Sequence, residues 1–354
     1  MQRSRAETHD FSGLDDNDSI VRGFRAAVDE AARFIGATAP NPPVGCAILD
    51  AEGDILAVGA HHRAGQPHAE AMALQACRDA GLLHRAATAV VTLEPCNHAG
   101  RTGPCTEAIL ASPIDTVWIG VNDPNPRVAG GGEARLREAG LTVHRPQPGN
   151  EAARDCAALI APFQSLMRAG RPWITVKQAL DATGGMIPPI GMKTFTGGDA
   201  LRLAHRLRRA TDAIITGMGT ILADNPAFTV RHVADHAQRR RILAVPDRGA
   251  ALPAAFRQAA GANGFQLLTA PDLPSLLQAL AREGVLWAMV EAGPRLLSRI
   301  RQESLWDDWL TIRHDAGGQD HASVELVPGS AHSTETPLRL IEGAMKGALC
   351  FPAS

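Results

Sequence analysis

A histidine, a glutamate and two cysteines in a fixed order constrain this chain more than any other feature. His68 and Glu70 are separated by one residue, and Cys96 and Cys105 follow downstream. One imidazole and two thiolates give Zn²⁺ three protein ligands and leave the fourth position for water, as in catalytic zinc sites. The pattern therefore predicts a fold that gathers His68, Cys96 and Cys105 around one zinc ion, with hydrolytic deamination as the chemistry.

Glu70 is predicted to carry protons rather than to bind the metal. Side chains two residues apart point to different faces in the middle of a helix. Pro67, however, precedes a run of strong helix formers that extends to Ala80. We therefore expect His68 and Glu70 to share the first turn and to tilt toward its beginning. A second helix is predicted to begin near Cys105, where the helix dipole favours a thiolate.

The length and composition are typical of a two-domain globular protein. The chain has 354 residues, 45% hydrophobic and 20% charged, with a net charge of −2. We expect no nucleic-acid or membrane partner, because this charge is small and no apolar run could span a bilayer. The basic runs at residues 206–209 and 239–241 are predicted to be mostly solvated. Residues 1–19 are polar and acid-rich and are predicted to form a disordered tail.

The six cysteines do not suggest a disulfide framework. Two of them are assigned to the metal, and the others stand in apolar contexts that are typical of small buried thiols. These other cysteines are Cys46, Cys77, Cys156 and Cys350. Such usage fits a reducing compartment, and we expect the protein to be cytoplasmic.

Helix and strand patterns alternate along the chain and predict two α/β domains. Residues 20–165 form the first domain and residues 171–354 the second, with a boundary at residues 170–172. A helix over residues 151–168 is predicted to lead to this boundary. We expect Pro162 to interrupt it, because proline removes a backbone donor.

Two helix starts are predicted in the second domain. Ser275 is positioned to cap a helix that extends to Arg282. Further on, Gly293 and Pro294 join a strand to an amphipathic helix, and the exposed N–H groups of such a start can hold a phosphate. Strand-Gly-Pro-helix junctions also occur as plain connections, so this pattern by itself leaves both interpretations open.

An ordered series of motifs runs through residues 20–165. It consists of Asn41-Pro42-Pro43-Val44-Gly45, His61, Pro67-His68-Ala69-Glu70, Thr92-Leu93-Glu94-Pro95-Cys96, His98, Gly100-Arg101-Thr102, Pro104-Cys105 and Asp123-Pro124-Asn125-Pro126. The series resembles the deaminase half of a bifunctional riboflavin-biosynthesis deaminase/reductase family. This resemblance implies a cytidine-deaminase-like αβα fold, a zinc cofactor and, as substrate, a diaminopyrimidinone ribotide made from GTP.

The resemblance also implies substrate contacts around the metal. Asn41 would meet the pyrimidine edge through its amide, although asparagine before proline also forms turns. The contacts implied for the phosphate or sugar are His61, His98 and Arg101. Asp123 and Asn125 would recognise the substrate, or else only shape a turn. His62 and His84 have no counterpart in the family and are predicted to be solvated.

A second ordered series follows in residues 171–354. It consists of Lys177, Arg208 with Asp212-Ala213-Ile214, Gly217-Met218-Gly219-Thr220, Leu222-Ala223-Asp224-Asn225-Pro226, Thr229-Val230-Arg231 and Glu291-Ala292-Gly293-Pro294. The series resembles the reductase half of the same family, which implies a dihydrofolate-reductase-like α/β fold and NADPH. The implied NADPH contacts are Ala179, Thr220, Asp224, Gly293 and Pro294. The implied ribotide contacts are Lys177, Arg208, Phe228, Arg231 and Glu291. We expect the whole chain to form a homo-oligomer.

The reductase motifs depart from the family pattern in several places. Residues 181–184 read Asp-Ala-Thr-Gly instead of Ser-Leu-Asp-Gly, and residues 192–196 read Met-Lys-Thr-Phe-Thr instead of Ser-x-Trp-Ile-Thr. Pro246 stands near a family serine position, and residues 312–318 lack the usual Pro-x-Leu-x-Gly ending. We favour deamination followed by NADPH reduction of the ribosyl group to ribityl. Two alternatives stay open: a deaminase with an inactive reductase domain, and a zinc deaminase of nucleotides or nucleic acids.

Overall fold

The computed structural model describes residues 19–98, 103–126, 129–188, 191–192, 194–327, 335–341 and 349–350. Two β-sheets organise this part of the chain, one in each predicted domain. The predicted tail lies outside the described residues except for Ser19. No helix in the described ranges is long and apolar enough to cross a membrane.

Five strands form the first sheet, and five helices among the described residues surround it. The strands are β1 (Gly45–Leu49), β2 (Ile55–Ala60), β3 (Thr88–Leu93), β4 (Thr116–Val121) and β5 (Thr142–His144). Their order across the sheet is β2-β1-β3-β4-β5, with β1 antiparallel to both neighbours and β3, β4 and β5 parallel. The helices are α1 (Ser19–Ala32), α2 (Ala69–Asp79), α3 (Cys105–Leu110), α4 (Gly131–Glu138) and α5 (Glu151–Ala169), with a 3₁₀ helix at Leu83–Arg85.

Alternate residues of the first sheet pack into two separate cores, one on each face. Cys46 and Ile48 of β1 join a cluster with α2 and α3. Ala47 and Leu49 face the other way and join a cluster with α1 and α5. Successive side chains of a strand point to opposite faces, so this alternation produces the αβα layering that the sequence predicted.

α5 is continuous through Pro162, so the predicted interruption of this helix is wrong. Asn150 caps its start by accepting a backbone N–H, and Gly170 ends it in a left-handed conformation with a φ of 66°. Pro162 removes one backbone hydrogen bond, but tertiary packing holds the helix together. Cys156 packs in a core of the first domain and Leu159 in a core of the second.

Eight strands form the second sheet. They are β6 (Trp173–Leu180), β7 (Ala213–Ile215), β8 (Arg241–Pro246), β9 (Phe265–Ala270), β10 (Trp287–Val290), β11 (Asp308–His314), β12 (Asp320–Leu326) and β13 (Leu349–Cys350). Their order is β13-β12-β11-β6-β10-β7-β8-β9, and the strands from β11 to β9 in this order are parallel. The helices are α6 (Gly198–Ala210), α7 (Met218–Asp224), α8 (Ala254–Ala262), α9 (Leu273–Arg282) and α10 (Pro294–Gln302), with a 3₁₀ helix at Pro337–Leu340.

Three parallel strands end side by side at one edge of the second sheet. α6 and α8 cover one face of this sheet, and α9 and α10 cover the other. Val290 at the end of β10 pairs with Val176 of β6 and with Ile215 of β7. Lys177 and Glu291 come next along their strands, at the carboxyl edge where open α/β sheets bind ligands.

The start of α9 differs from the prediction, because Asp272 rather than Ser275 is its cap. Oδ1 of Asp272 accepts the backbone N–H of Ser275 at 2.8 Å, and the helix begins at Leu273. A capping side chain must precede the first turn in order to accept its free N–H groups. Ser275 lies inside that turn and supplies the donor instead.

Arg239 and Arg241 are buried, which corrects the prediction that this basic run is solvated. Their side chains are 3% and 9% exposed, respectively. Arg239 donates to the carbonyl oxygen of Gly36 in the first domain and to three carbonyl oxygens around the end of α6. One guanidinium carries five donors in a fixed fork and can therefore satisfy several carbonyls at once. Arg239 thus joins the two domains.

Candidate active sites

The three predicted metal ligands converge at one point. His68 immediately precedes α2, Cys96 follows β3, and Cys105 is the first residue of α3. Nδ1 of His68 lies 3.6 Å from Sγ of Cys96 and 3.4 Å from Sγ of Cys105. All three ligand atoms lie within 4.8 Å of one another. A nitrogen and a sulfur on tetrahedral zinc are separated by about 3.6 Å, so this donor set fits the ion.

The surroundings of Cys96 favour its thiolate form. Its Sγ accepts the backbone N–H of Cys105 at 3.4 Å. Hydrogen bonds from the side chains of Cys105 and His68 lower the pKa of the Cys96 thiol. Thiolate is the form of cysteine that binds a metal, so this environment suits a ligand.

Glu70 lies beside the ligands without belonging to their set. It stands in the first turn of α2, it is buried, and it lines the same cavity as His68 and Cys96. Burial raises the pKa of its carboxyl group. A carboxyl group with a raised pKa can both accept and release a proton near neutral pH, so this position suits a proton carrier.

A cavity of about 590 Å³ opens beside the metal ligands. Among its lining residues are the predicted substrate contacts Asn41, His61, His98, Asp123 and Asn125. Phe163 of α5 also lines the cavity, although no sequence motif pointed to it. The volume is in the range of small-molecule sites. Arg101, the other predicted contact of this domain, lies outside the described residues.

His61 links the cavity wall to the segment that carries the metal ligand. Its Nδ1 lies 3.1 Å from the carbonyl oxygen of Pro67. That oxygen can only accept, so Nδ1 carries the proton and Nε2 is the acceptor. Nδ2 of Asn41 donates to Nε2 at 3.2 Å. Burial lowers the pKa of His61, which keeps the ring neutral. Both ring nitrogens are thus engaged within the protein.

The other two histidines of this region differ from each other. The ring of His62 stacks on Phe34 with centroids 3.9 Å apart, and the residue is half-buried. The prediction that His62 is solvated is therefore wrong, because an aromatic neighbour from the end of the first helical region covers it. His84 is exposed, as predicted.

Glu94 anchors the rim of the cavity, a role that the sequence analysis did not assign. Its buried carboxylate accepts four backbone N–H groups at 3.0–3.4 Å. These donors belong to Asp123, Gly130, Gly132 and Glu133. Oδ1 of Asp123 in turn accepts the N–H of Asn125 at 2.8 Å, so these residues form a turn. An acidic residue after a buried strand, with a glycine-rich helix start downstream, was the available sequence signal.

A second cluster of charged side chains lies at the carboxyl edge of the second sheet. Arg208 donates from Nε and Nη2 to the two carboxylate oxygens of Glu291, at 2.9 and 2.6 Å. Burial raises the pKa of Glu291, but the charges of Arg208 and Lys177 outweigh burial and lower it overall. Burial also lowers the pKa of Lys177. Lys177, Arg208 and Glu291, which are three of the predicted ribotide contacts, are therefore close together.

Two of the predicted cofactor contacts bond to each other. The N–H of Gly293 donates to Oγ1 of Thr220 at 3.0 Å, which ties the start of α10 to α7. Pro294 is the first residue of α10 and has no N–H of its own to satisfy. Asp224 lies at the exposed end of α7, and Ala179 is half-buried in β6. The positive start of a nine-residue helix fits the phosphates of a dinucleotide.

The two other predicted ribotide contacts lie in the segment 228–231 and differ in exposure. The ring of Phe228 is buried in the core, with the guanidinium of Arg208 6.0 Å from its centroid. Arg231 is exposed, and its Nη1 donates to Oγ1 of Thr229 at 3.1 Å. Arg231 can therefore reach a ligand with its side chain, whereas Phe228 packs beneath the segment.

The residues that depart from the family pattern make their own contacts. In the turn at residues 181–184, Oδ1 of Asp181 accepts the N–H and the hydroxyl of Thr183 at 2.8 and 2.7 Å. The ring of Phe195 lies 6.3 Å from that of His314. His314 bonds in turn to a carboxylate on β12. Thr183 is thus bonded within its own turn, and Phe195 lies near the ring of His314 in β11.

Comparisons with known families match both halves of the chain. Residues 18–121 match the family described as the cytidine and deoxycytidylate deaminase zinc-binding region. Residues 172–312 match the family described as the RibD C-terminal domain. The first match includes the His-Cys-Cys site, and the second includes the cluster around Glu291.

Similar proteins extend these matches over nearly the whole chain. Riboflavin biosynthesis protein RibD of Aquifex aeolicus is 35% identical over 305 residues, which cover 80% of this chain and 83% of that protein. Its Escherichia coli counterpart is 34% identical over 358 residues, which cover 92% and 94%.

Solved structures agree with this relationship. RibD of Acinetobacter baumannii superposes with a TM-score of 0.71 and 31% identity over 90% of each chain. A Thermotoga maritima protein gives a TM-score of 0.72 and 27% identity over 84% of this chain and 86% of that one. The latter is described as a diaminohydroxyphosphoribosylaminopyrimidine deaminase/5-amino-6-(5-phosphoribosylamino)uracil reductase.

The predicted fold class is confirmed, with a cytidine-deaminase-like first domain and a RibD reductase second domain. Zinc and NADPH are the cofactors of this family, and the His-Cys-Cys site provides for the first of them. The two alternatives, a deaminase alone and a nucleotide or nucleic-acid deaminase, are not favoured, because similarity to RibD extends through the second domain. The chain belongs to the RibD family of bifunctional riboflavin-biosynthesis deaminase/reductases.

Proposed function

We propose that the first domain deaminates a diaminopyrimidinone ribotide and that the second reduces the ribosyl group of the product to ribityl. The observation that carries this proposal is the convergence of His68, Cys96 and Cys105 at one point, beside a cavity that Glu70 also lines. The name printed for the Thermotoga maritima relative supports the substrate class. Deamination comes first, because the reductase substrate in that name is a uracil derivative.

His68, Cys96 and Cys105 would hold the zinc ion through one nitrogen and two sulfurs. Zinc bound by three protein ligands supplies a Lewis acid and lowers the pKa of a water molecule toward neutrality. The protein fixes this donor set through secondary structure, because two of the three ligands stand at helix starts.

Glu70 would move the proton in the deamination. Its carboxylate takes a proton from the attacking water and delivers it to the amino group that leaves as ammonia. Its burial supports this role, since the raised pKa brings the protonated and ionised forms closer in energy at neutral pH. The carboxylate is restored once this proton has passed to the departing ammonia.

Asn41 would read the pyrimidine edge. Its Nδ2 is committed to His61, so its Oδ1 is the atom left to accept a hydrogen bond from a ring or exocyclic N–H. In this proposal His61 orients Asn41 instead of binding phosphate. His98, Asp123 and Asn125 would complete the wall around the sugar, and Arg101 would meet the phosphate.

The second domain would hold the deaminated ribotide through Lys177, Arg208, Arg231 and Glu291. Two guanidiniums and an ammonium suit a phosphorylated sugar, because arginine can bind phosphate oxygens in pairs. Glu291 accepts from Arg208 and can also accept from a sugar hydroxyl, since each carboxylate oxygen has a second lone pair.

NADPH would lie against Ala179, Thr220, Asp224, Gly293 and Pro294. When bound, it supplies the reducing equivalents for the ribosyl group. The start of α10 favours its phosphates. Thr216 at the same sheet edge also supports a polar ligand there, because its buried hydroxyl has no hydrogen-bond partner among the described residues.

The decisive experiment measures both half-reactions with the purified full chain. The diamino ribotide should release ammonia, and the already deaminated ribotide should oxidise NADPH. Ammonia release without NADPH oxidation would leave a deaminase that carries an inactive second domain. NADPH oxidation without ammonia release would refute the assignment of the first domain.

Two matched variants separate the two sites. Glu70→Gln should lower ammonia release by about 10²-fold or more while NADPH oxidation stays unchanged. Glu291→Gln should lower NADPH oxidation while ammonia release stays unchanged. If either variant lowers both rates equally, the assignment of that residue to one site is refuted.

We further propose that the enzyme is a cytoplasmic homo-oligomer. Cys46, Cys77, Cys96, Cys105 and Cys156 are free thiols, the form that a reducing compartment maintains. Ile187, Met192 and Leu222 are more than half exposed and would be candidates for burial in such an assembly. Light scattering on the purified protein tests the assembly, and cell fractionation tests the compartment. A monomeric mass would refute the proposed homo-oligomer.

A further inference from the structure

Three side chains hold successive points of the segment 228–231. Nη2 of Arg241 donates to the carbonyl oxygen of Phe228 at 3.1 Å. Nη1 of Arg208 donates to the carbonyl oxygen of Thr229 at 3.1 Å. The backbone N–H of Arg231 donates to Nδ1 of His205 at 3.0 Å. The path of this segment is therefore set by side chains from α6 and β8 rather than by regular secondary structure.

His205 makes the last of these contacts from inside the protein. It is 2% exposed, and its ring packs edge-on against His232 with centroids 4.6 Å apart. Because Nδ1 accepts a hydrogen bond, it carries no proton. The ring is therefore neutral, and its proton is on Nε2. Burial, with the charges of Arg208 and Arg231, lowers the pKa of His205 to about 4. The acceptor is thus available at neutral pH.

The conformation of Phe228 shows why such anchors are needed. Its φ is 53°, in the left-handed region that residues with a bulky side chain seldom adopt. Its ring is buried in the core, so the backbone cannot relax without exposing that ring. A segment that starts from this unfavourable conformation keeps its path when other contacts fix the positions that follow.

Arg231 is the residue whose placement depends on His205. Arg208 bonds both to Glu291 and to the carbonyl of Thr229, so the substrate cluster and the segment share one guanidinium. The bond from His205 then fixes the backbone of Arg231 relative to that cluster. Without it, the exposed Arg231 side chain would start from a mobile backbone.

We propose that His205 is a positioning residue of the reductase half, which fixes the backbone N–H of Arg231 so that the Arg231 guanidinium meets the phosphate of the ribotide. This inference rests on the proposed assignment of Arg231 to the substrate. His205 itself touches neither substrate nor cofactor. It acts on the affinity for the phosphorylated substrate rather than on the reduction step.

Three substitutions of His205 separate the acceptor from the bulk of the ring. Asparagine places its Oδ1 at the same number of bonds from the backbone as Nδ1 of histidine. Glutamine places its oxygen one bond further, and leucine offers no acceptor. We expect His205→Leu and His205→Gln to raise KM for the deaminated ribotide about tenfold, as for loss of one buried hydrogen bond, with kcat changed less than twofold. His205→Asn should stay within about threefold of the wild-type KM.

Two further readouts distinguish positioning from general stability. Inorganic phosphate, used as a competitive inhibitor, should bind His205→Leu more weakly in proportion to KM. Ammonia release by the first domain should be unchanged in every variant, which reports on folding in the same molecules. If His205→Leu fails to fold, the KM of His205→Asn compared with that of His205→Gln tests the inference instead. Loss of kcat with an unchanged KM would overturn the inference.

Arg231→Gln distinguishes failure of the inference from failure of the assignment beneath it. If this variant keeps the wild-type KM, the assignment of Arg231 to the phosphate fails, and the inference fails with it. If Arg231→Gln raises KM while His205→Leu does not, the assignment stands and the inference alone is overturned. Equal KM values for His205→Asn and His205→Leu would also overturn it.

Discussion

Nδ2 of Asn41 donates a 3.2 Å hydrogen bond to Nε2 of His61, and this contact determines which way the Asn41 amide faces. The orientation follows from a chain of partners, because Nδ1 of His61 faces the carbonyl oxygen of Pro67 and must carry the proton. His61 therefore accepts from Asn41, and the amide oxygen of Asn41 is left as its hydrogen-bond acceptor. A buried, neutral histidine thus sets the hydrogen-bonding character of the site.

His61→Phe tests this relationship, because phenylalanine keeps a planar ring but removes both hydrogen bonds. The Asn41 amide then loses its fixed orientation, and kcat/KM for deamination should fall about tenfold or more. Steady-state ammonia release gives the value, and NADPH oxidation should be unaffected. His84→Phe, at an exposed position, is the matched control. Wild-type kcat/KM in His61→Phe would contradict the role.

Cys96→Ala tests the metal ligands against a buried thiol elsewhere in the domain. It removes one of three protein ligands and should lower the zinc content of the purified protein, as measured by atomic absorption. Cys77→Ala should retain zinc, because Cys77 is buried within α2 away from the cluster. Glu70→Gln should retain zinc as well. Full zinc occupancy in Cys96→Ala would refute the ligand assignment.

Glu94→Ala should destabilise the first domain more than an ordinary surface change. It leaves four backbone N–H groups without their acceptor, and each unsatisfied buried donor costs about 1–3 kcal/mol. Water can reach part of this rim, so we expect a net loss of roughly 3 kcal/mol or more. Urea unfolding gives the midpoint. Glu107→Ala, at an exposed carboxylate, is the control, and equal midpoints would contradict the anchoring role.

Asp308 should make the stability of the second domain fall as pH rises. Burial raises its pKa to about 7, although Oδ2 accepts from Nε1 of Trp173 and from the hydroxyl of Thr336. The unfolded carboxyl has a pKa of about 3.9. Between these values the folded chain holds a proton that the unfolded chain has lost. The stabilising contribution is therefore complete below about pH 4 and lost by about pH 7, with an upper limit of about 4 kcal/mol.

Asp308→Asn removes this titration while keeping an oxygen that can accept both hydrogen bonds. The difference in urea midpoint between pH 5 and pH 8 should be larger for the wild type than for this variant. Comparing the two proteins cancels contributions from groups that titrate in both. Identical pH dependence would show that Asp308 is ionised throughout this range.

The sequence predicted much of the chemistry because metal chemistry restricts which residue types can serve. The residue types and order of His68, Glu70, Cys96 and Cys105, together with the family resemblance, predicted that they meet, and the structure brings them together. The alternation of helix and strand patterns also predicted two α/β domains, and the structure forms a sheet in each.

The errors share a cause. Pro162 lies inside a continuous helix, Asp272 replaces Ser275 as a cap, and Arg239 and His62 are covered rather than solvated. Helix propensity and charge pattern indicate the environment that a residue prefers when distant contacts are left out. At these positions contacts with distant segments decide the outcome.

By itself, the sequence determined the class of each domain, the candidate metal ligands and the family, because periodicity and residue types can be read directly from the order of the residues. Only the tertiary structure decided which side chains orient others. Glu94 gathers the N–H groups of the cavity rim, His61 sets the Asn41 amide, and His205 holds Arg231. Each of these is a directional hydrogen bond between residues far apart in sequence, and its geometry exists only once the intervening chain has folded.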